Sequence, residues 1–255
     1  MTNAGGRAAA AAGNNAAWCD TVCRAHGAPG EFHDGLCWVN RWETPPFYPN
    51  AVTLTGDPGA APKLLALLRE LEGAGLAGEW AVKDSFQTLD LAPLGYRPLF
   101  DASWIFRPAS LPPPAGGGRW ERVTEETELA AWEAAWHGEN MPPPGAPRLF
   151  PPALLADPEV VFLAAREAGR VVAGAVANRA AGVVGLSNVF TPPGTDGAGW
   201  WGSLIADVAP WFPGVALVGY EAGDDLAAPR ACGFETVGPL RVWVKESYAA
   251  AEPMG

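Results

Sequence analysis

The sequence predicts an α/β protein of the α+β type, with a mixed central sheet flanked by helices and a smaller lobe in front of it. The chain has 255 residues, 49% of them hydrophobic, which is enough for a sizeable core. Short apolar stretches that favour strands alternate with segments of helical periodicity. A Pro- and Gly-rich stretch at 107–118, RPASLPPPAGGG, separates two such series as a linker would.

Composition and punctuation divide the chain into five parts. The Ala- and Gly-rich residues 1–13 are expected to be a disordered tail, and residues 246–255 a second tail. Between them we expect a smaller lobe at 14–108, a linker at 109–118 and the main domain at 119–245. A basic segment followed by an apolar one, as in a secretory signal, is missing from the start. No run of 18 apolar residues occurs either, so we expect a cytoplasmic protein with no membrane partner.

The smaller lobe is predicted to begin with a helix and to continue mainly as strands. The helix lies near 15–26, with an Asn cap. A second helix is indicated by the leucine spacing at 62–72, where Pro62 occupies the first turn. Strands are predicted near 36–41, 51–54, 80–83, 97–100 and 103–106.

The main domain shows the clearer alternation of elements. Its predicted helices are 125–136, with Thr124 as cap, 200–208 and a short one at 224–232. A helical piece is expected at 152–156. The predicted strands are 120–123, 160–166, 170–178, 183–190 and 216–221, followed by a final hairpin of 234–237 and 240–244 around Gly238 and Pro239.

The charge of the chain excludes one class of partner. The net charge is −11, and only 17 residues are Lys or Arg. Because proteins bind nucleic acids by neutralising phosphates with such residues, we expect no nucleic-acid partner. An acidic surface weakly favours cationic ligands and also serves solubility. The oligomeric state stays open.

A small cluster of metal-binding residue types lies near the start. Cys19, Cys23 and His26 are spaced to lie on one face of a helix. Thiolate and imidazole are the usual ligands of zinc, although this spacing fits no common zinc template. Cysteine is also among the most buried residue types, so core packing is the other interpretation. The sequence predicts no metal site from this cluster.

Glycines gather between a predicted strand and a predicted helix, in the segment TPPGTDGAG at 191–199. Gly194, Gly197 and Gly199 would let the backbone approach a phosphate closely, and a helix start offers unpaired N–H groups. A flexible connection is the alternative. A Walker loop is excluded, because no Gly-Lys-Ser/Thr follows.

The same segment also matches a dinucleotide-binding fingerprint, Gly197-x-Gly199-x-x-Gly202, with Glu221 ending the next strand. Six residues separate the strand from Gly197, whereas the fingerprint places its first glycine at the strand end. No further βαβ units follow. A nicotinamide-dinucleotide-binding enzyme is therefore a third alternative.

The two halves of the chain share a sequence pattern. In the first, NAVTLTGDPG, a helix, EWAVKDSF and LGYRPLFDASWIF follow in order. In the second, SNVFTPPGTDGAG, a helix, VALVGYE and CGFETVGPLRVWV follow in the same order. This low-identity repetition indicates an internal duplication of half-domains.

The order of elements after 120, together with the glycine segment, resembles the GNAT superfamily of acyl-CoA-dependent N-acyltransferases over about half of the chain. The closing ACGFETVGPLRVWVK is similar to the Gly-Phe and last strands of that family. The smaller lobe resembles the second half of the same fold in degenerate form. The resemblance implies acetyl-CoA or another acyl-CoA as cofactor and a small-molecule amine as acceptor.

The family's cofactor residues carry over to the segment after strand 183–190. The family loop reads Arg or Gln, two residues, Gly, one residue, then Gly or Ala; here the glycines match and the leading Arg or Gln does not. The resemblance implies that the pyrophosphate would meet the backbone of the loop, and the pantetheine arm the end of the strand. The residues assigned to the loop are Gly194, Thr195, Gly197, Ala198 and Gly199, and those assigned to the strand end are Val189, Phe190 and Thr191.

The family's catalytic residues carry over less well. Pro229 stands where the family often has a Tyr that acts as general acid on the leaving thiolate. Strand 183–190 contains no carboxylate, whereas a Glu that acts as base is common on this strand in the family. Tyr220 and Glu221 end the next strand and are the candidates for proton donor to the thiolate and for base. Asn188 is the candidate for orienting the acceptor. The alternative is a catalytically inactive pseudo-acyltransferase that acts as a binding module.

Aromatic residues of the smaller lobe have two interpretations. They are Trp38, Trp42, Phe47 and Tyr48. They would either line an acceptor cleft between the lobes or form the core between them. Clefts between lobes are common sites for ligands.

Overall fold

A single sheet of eleven strands runs through the molecule. The computed structural model describes residues 3–73, 79–115, 117–140, 142–143 and 145–246. The strands are β1 (Glu31–His33), β2 (Cys37–Val39), β3 (Ala51–Thr53), β4 (Glu79–Asp84), β5 (Arg97–Arg107), β6 (Trp120–Arg122), β7 (Val160–Glu167), β8 (Arg170–Ala180), β9 (Val183–Phe190), β10 (Leu217–Glu221) and β11 (Glu235–Glu246). The predicted α+β class with a mixed sheet is confirmed.

Helices cover both faces of this sheet. They are α1 (Ala4–Ala25), α2 (Ala61–Gly73), α3 (Glu126–His137), α4 (Gly197–Val208) and α5 (Ala227–Ala231). Successive residues of β7 point to the two faces of the sheet. Phe162 packs in a core cluster with α1 and α3, and Leu163 packs in another cluster with α4. Within the described residues, no helix combines the length and the hydropathy that a bilayer span requires.

The order of strands in the sheet shows that the two halves of the chain exchange a strand. It runs β1-β2-β3-β4-β11-β5-β10-β9-β8-β7-β6. β3 pairs parallel with β4, as β9 does with β10. The next strand of each half then crosses over: β11 pairs with β4, and β5 pairs with β10. This palindromic order is the arrangement that a duplicated half-domain would give.

The first helix begins earlier than expected and corrects the prediction of a disordered tail at 1–13 from residue 3 onward, since residues 1–2 lie outside the described residues. α1 begins at Ala4, and the side chain of Asn3 caps it by accepting a hydrogen bond from Gly6 N at 2.9 Å. Ala8 and Ala12 are buried in a cluster with Trp104 and Leu240. Alanine favours a helix and lets it lie close to a sheet, and composition alone did not distinguish this from disorder.

Two further predictions about strands are wrong. The final hairpin expected at 234–237 and 240–244 is one strand, β11, whose register shifts between Thr236 and Gly238 where it pairs with β5. Gly238 and Pro239 therefore mark a bulge instead of a turn. The strands expected at 97–100 and 103–106 are likewise the single strand β5.

The lobe boundaries of 14–108 and 119–245 stay a prediction, because both halves share the sheet. The linker forms no helix or strand in its described residues. Gly116 of the linker and residues 247–255 of the second tail lie outside the described residues. Residue 246, the first residue of that predicted tail, ends β11.

Candidate active site

The end of β9 opens into a cavity of about 600 Å³, here called the loop cavity. Its walls are the segment after β9, the start of α4 and the turn before α5. Seven of the eight residues predicted to bind the cofactor line it: Val189, Phe190, Thr191, Gly194, Thr195, Gly197 and Ala198. The sequence therefore located a cavity of a size suited to a ligand.

The helix at this cavity begins at Gly197, three residues before its predicted start at 200. Asp196 caps it, and its carboxylate accepts a hydrogen bond from Ala198 N at 3.1 Å. Other first-turn N–H groups have no acceptor within the helix. Gly199 is the predicted residue that does not line the cavity; a Cβ there would lie 2.9 Å from Asp196 Oδ2. Because glycine has no side chain, Gly199 leaves room for the capping carboxylate of Asp196.

A β-bulge interrupts the end of β9. Gly174 pairs with Phe190, but Val176 pairs with Ser187, so Asn188 and Val189 together oppose Ala175. Asn188 has a φ of 51°, in the left-handed region that asparagine tolerates better than most residues. A bulge leaves backbone groups out of the ladder. The end of β9 therefore presents backbone groups that can bind a ligand.

β9 and β10 pair near their starts and separate towards this bulge. Their parallel pairing consists of Val184 with Leu217 and Gly185 with Val218. Beyond those pairs lies a second cavity of about 320 Å³, here called the inner cavity. Val189 and Glu221 line both cavities, so the two meet at these residues.

Glu221 lies at this junction with an altered acidity. Burial, and after it the nearby charge of Asp225, together raise the pKa of its carboxyl to about 7. A carboxyl group with that pKa exchanges protons near neutral pH. It suits the role of a general base, as predicted for Glu221, better than an ordinary exposed glutamate would.

Both halves of the chain build the inner cavity. The second half contributes Ser187, Asn188, Tyr220 and Trp136. From the first half come α1, β4 and the segment before β3, with Asn15, Trp18, Cys19, Phe47, Tyr48, Pro49 and Lys83. Tyr220 and Asn188, two of the predicted catalytic residues, thus line the same cavity.

The aromatic residues of the first half divide between the two interpretations. Trp38 is fully buried in the core, whereas Trp42 is 59% exposed. Phe47, 79% exposed, and Tyr48, 8% exposed, both line the inner cavity. Two of the four, Phe47 and Tyr48, therefore lie at a ligand-sized cavity, and two, Trp38 and Tyr48, pack in the core.

Lys83 is the main residue that the sequence analysis missed. Its ammonium lies 2.9 Å from Asn15 Oδ1, 3.5 Å from the Tyr220 hydroxyl and 4.5 Å from the centre of the Tyr220 ring. The side chain of Lys83 is buried, as are those of its neighbours Val82 and Asp84 in β4. A lysine directly after the apolar run WAV at 80–82 was the signal that could have identified it.

The charge of the loop cavity is unfavourable for a phosphate. Four carboxylates line it, from Asp196, Glu221, Asp224 and Asp225, and its described lining includes no Lys or Arg. The loop also lacks the leading Arg or Gln of the GNAT pattern. The backbone N–H groups at the start of α4 would suit an anion, whereas the side-chain charges of the cavity would oppose one.

The cysteines near the start of the chain lie in the core. Cys19 and Cys23 are buried in one hydrophobic cluster, and burial raises their pKa values to about 11 and about 12. Among the described residues, no three His, Cys, Asp or Glu side chains are grouped so as to hold a metal ion.

Comparison with known proteins identifies the fold. No protein-family model matches the sequence, and no curated protein does. The GCN5-related N-acetyltransferase from Kribbella flavida is similar in structure, with a TM-score of 0.57 and 17% identity over 98% of each chain. This chain has the GNAT fold. A GNAT-family protein from Novosphingobium aromaticivorans has a TM-score of 0.55 and 18% identity, covering 90% of this chain and 96% of that one.

A tandem GNAT protein is also similar to this chain. The tandem GNAT protein from the clavulanic acid biosynthesis pathway has a TM-score of 0.51 and 14% identity, over 79% of this chain and 75% of that one. This likeness supports two GNAT-like lobes. Within the second half of the chain, β9 and β10 are the fourth and fifth strands, and Pro229 is buried.

Proposed function

We propose that this protein transfers an acetyl or other small acyl group from acyl-CoA to an amine of a small molecule. The observation that carries the proposal is the meeting of the two cavities at Val189 and Glu221, beside the β9 bulge. One cavity would hold the cofactor and the other the acceptor. Their junction brings together a backbone bulge and a carboxyl group with a pKa of about 7.

The loop cavity would hold the cofactor through backbone groups. The N–H groups in the first turn of α4 would meet the pyrophosphate, as a helix N-terminus does for anions. The end of β9, at Val189, Phe190 and Thr191, would pair with the pantetheine arm. Bound acyl-CoA would supply an acyl group that is already activated as a thioester.

The residues at the junction would supply donors and a base. Backbone N–H groups at the bulge of Asn188 and Val189 would donate to the thioester oxygen, and such oriented donors can be worth about 3–4 kcal/mol. Glu221 would take a proton from the amine, directly or through water. Tyr220 would donate a proton to the departing thiolate, with Lys83 beside its hydroxyl.

Placing the amine next to the thioester would supply much of the rate. Holding two reactants together in the right geometry can lower the barrier by about 7–11 kcal/mol. The acceptor would lie in the inner cavity, which residues from both halves of the chain line. The protein therefore needs no residue at the position of Pro229 for transfer to occur.

The test is calorimetric titration with acetyl-CoA, with free CoA and NAD as comparison ligands. We expect acetyl-CoA to bind and thiol release to follow when amines are added. Gly197→Trp should abolish binding, because Gly197 lies at the loop cavity, where a Cβ would already approach Ala228 to 3.2 Å. Gly5→Trp, at an exposed helical glycine, is the control. Unchanged affinity in a folded Gly197→Trp variant would refute the cofactor site.

A second candidate function is a catalytically inactive binding module with the same fold. The four carboxylates of the loop cavity favour it, because they repel the pyrophosphate. If acetyl-CoA, CoA and NAD all fail to bind, this candidate replaces the first. The nicotinamide alternative is disfavoured, since β7, β8 and β9 pair antiparallel and do not form a doubly wound parallel sheet.

A further inference from the structure

Lys83 presents a positive charge to the inner cavity without a matching negative one. Its side chain is buried, with the residue only 5% exposed. Within the described part of the chain it forms no ion pair, and its polar contacts are Asn15 Oδ1 at 2.9 Å and the Tyr220 hydroxyl at 3.5 Å. A buried charge without a counter-charge is unfavourable. An anion that entered the cavity would therefore offset this charge.

Glu221 shares the inner cavity with Lys83 and Asp84 adjoins it in sequence, but among the described residues neither carboxylate forms an ion pair with Lys83. The carboxylate of Asp84, the next residue, accepts hydrogen bonds from Leu89 N at 2.9 Å and Thr88 N at 3.2 Å. Cys19 lies close enough for the charge of Lys83 to act on it, yet burial keeps its pKa near 11 and its thiol neutral. Lys83 thus retains a free donor for a ligand.

Two further hydroxyl groups of the inner cavity also lack a partner. The buried hydroxyls of Tyr48 and Ser187 make no hydrogen bond of normal geometry with any residue the structure describes. Trp18 lies near the Tyr48 hydroxyl and offsets part of the rise that burial causes in its pKa. Buried polar groups are normally hydrogen-bonded, so two unpaired hydroxyls on residues that line the cavity make this wall polar.

We propose that the acceptor amine also carries a carboxylate, as an amino acid does, and that Lys83 binds this carboxylate in the inner cavity. The inference rests on the proposed function. Glu221 at one end of the cavity would receive the amine, and Lys83 on another wall, with the hydroxyls, would bind the acid. A volume of about 320 Å³ lies at the lower end of small-molecule sites and fits an acceptor of this size.

The experiment compares acceptors that carry the carboxylate with acceptors in which an amide replaces it. Thiol release is measured for the twenty L-amino acids and for their amides, in wild-type protein and in Lys83→Met. For the preferred side chain we expect kcat/KM for the acid to exceed that for the amide by roughly 30-fold or more. In Lys83→Met the acid should lose this advantage while the amide changes little. Tyr48→Phe should weaken the preference in the same direction.

Controls keep the result independent of folding. Lys63→Met removes a charge from the exposed surface of α2 and should leave the acid-to-amide ratio unchanged. Because the ratio is measured within one variant, partial loss of folded protein does not alter it. Methionine retains most of the lysine stem, and an apolar replacement of a buried charge is often tolerated.

The outcomes separate this inference from the proposed function. Equal use of acids and amides by wild type would overturn the carboxylate site and still support acyl transfer. If no amine is acylated, calorimetry with the same acids decides: binding that Lys83→Met abolishes supports the carboxylate site, although transfer fails. Binding of acids that survives in Lys83→Met, or no binding of any acid by wild type, overturns it.

Discussion

The charge of Asp225 acts on Glu221 and, after burial, is the second cause that raises the pKa of Glu221 to about 7. Asp225 lies just before α5, and Glu221 ends β10, so a short turn joins the two residues. Both line the loop cavity. The acidity of the junction therefore depends on a residue outside the strand that carries the proposed base.

Removal of the Asp225 charge should shift the pH dependence of acyl transfer. As a base, Glu221 acts when deprotonated, so kcat/KM should rise with pH through about 7 in wild type. In Asp225→Asn the acidic limb should move to lower pH, because one cause of the raised pKa is gone. Burial remains, so the limb should stay above the value for an ordinary glutamate. The measurement is kcat/KM for thiol release from pH 5 to 9.

Asp224→Asn is the matched control for that shift. It removes the same charge from the same cavity, but Asp224 is not among the causes of the Glu221 pKa. Its pH profile should therefore coincide with wild type. Equal shifts in both variants would mean that the general charge of the cavity, and not Asp225, sets the limb.

Loss of the Glu221 carboxylate should separate chemistry from binding. Glu221→Gln should lower kcat by about 100- to 10,000-fold, the usual contribution of a general base, with acetyl-CoA affinity maintained or improved.

The pH dependence of the free energy of unfolding should also differ between Glu221→Gln and wild type. The raised pKa of Glu221 means that stability from this group is present below its unfolded pKa and lost as pH rises through about 7. Urea unfolding at pH 5 and pH 8 should show that loss in wild type and not in Glu221→Gln.

The helix cap at the loop cavity should limit cofactor affinity. Asp196→Asn keeps a capping side chain but removes a negative charge from the start of α4. We expect acetyl-CoA to bind about two- to fivefold more tightly, from about 0.3–1 kcal/mol of repulsion removed. Asp57→Asn makes the same change at the cap of the corresponding loop in the first half and should have no effect. Weaker binding in Asp196→Asn would show that the carboxylate orders the loop more than it repels the ligand.

The packing of α1 predicts a large loss of stability for a substitution at one of its alanines and a small change for the same substitution at another. Ala12 is 0% exposed and lies in a cluster with Trp104, whereas Ala9 is exposed. Ala12→Glu would bury an unpaired charge and should lower the free energy of unfolding by more than about 4 kcal/mol or prevent folding. Ala9→Glu should change it by less than about 0.5 kcal/mol. If both variants match wild type in urea unfolding, the start of the chain is disordered, as composition alone indicates.

Local patterns were enough to predict most of the second half. The bounds of β9 agree with the prediction, and Tyr220 and Glu221 do end the next strand. Strand alternation and helix caps depend on residues close in sequence, which is why these elements were predictable. The glycine segment was predicted as a cofactor site, and a cavity does lie there.

Long-range contacts account for what the sequence analysis missed. The helicity of 4–13 depends on partners such as Leu240 at the other end of the chain. Lys83 belongs to the inner cavity only because β4, α1 and β10 meet there. The bulge at Asn188 depends on pairing with β8, and no local pattern indicates it. Each of these features depends on which strands become neighbours.

The strand exchange has a consequence for how the protein is made. β4 and β5 are not neighbours, because β11 lies between them. When the ribosome has completed the first half, β4 still has an open edge, and it remains so until β6 through β10 and then β11 have emerged. Such distant pairing slows folding and leaves an exposed strand edge in the nascent chain. We expect the two halves to mature together, so that neither reaches its final form as a separately expressed domain.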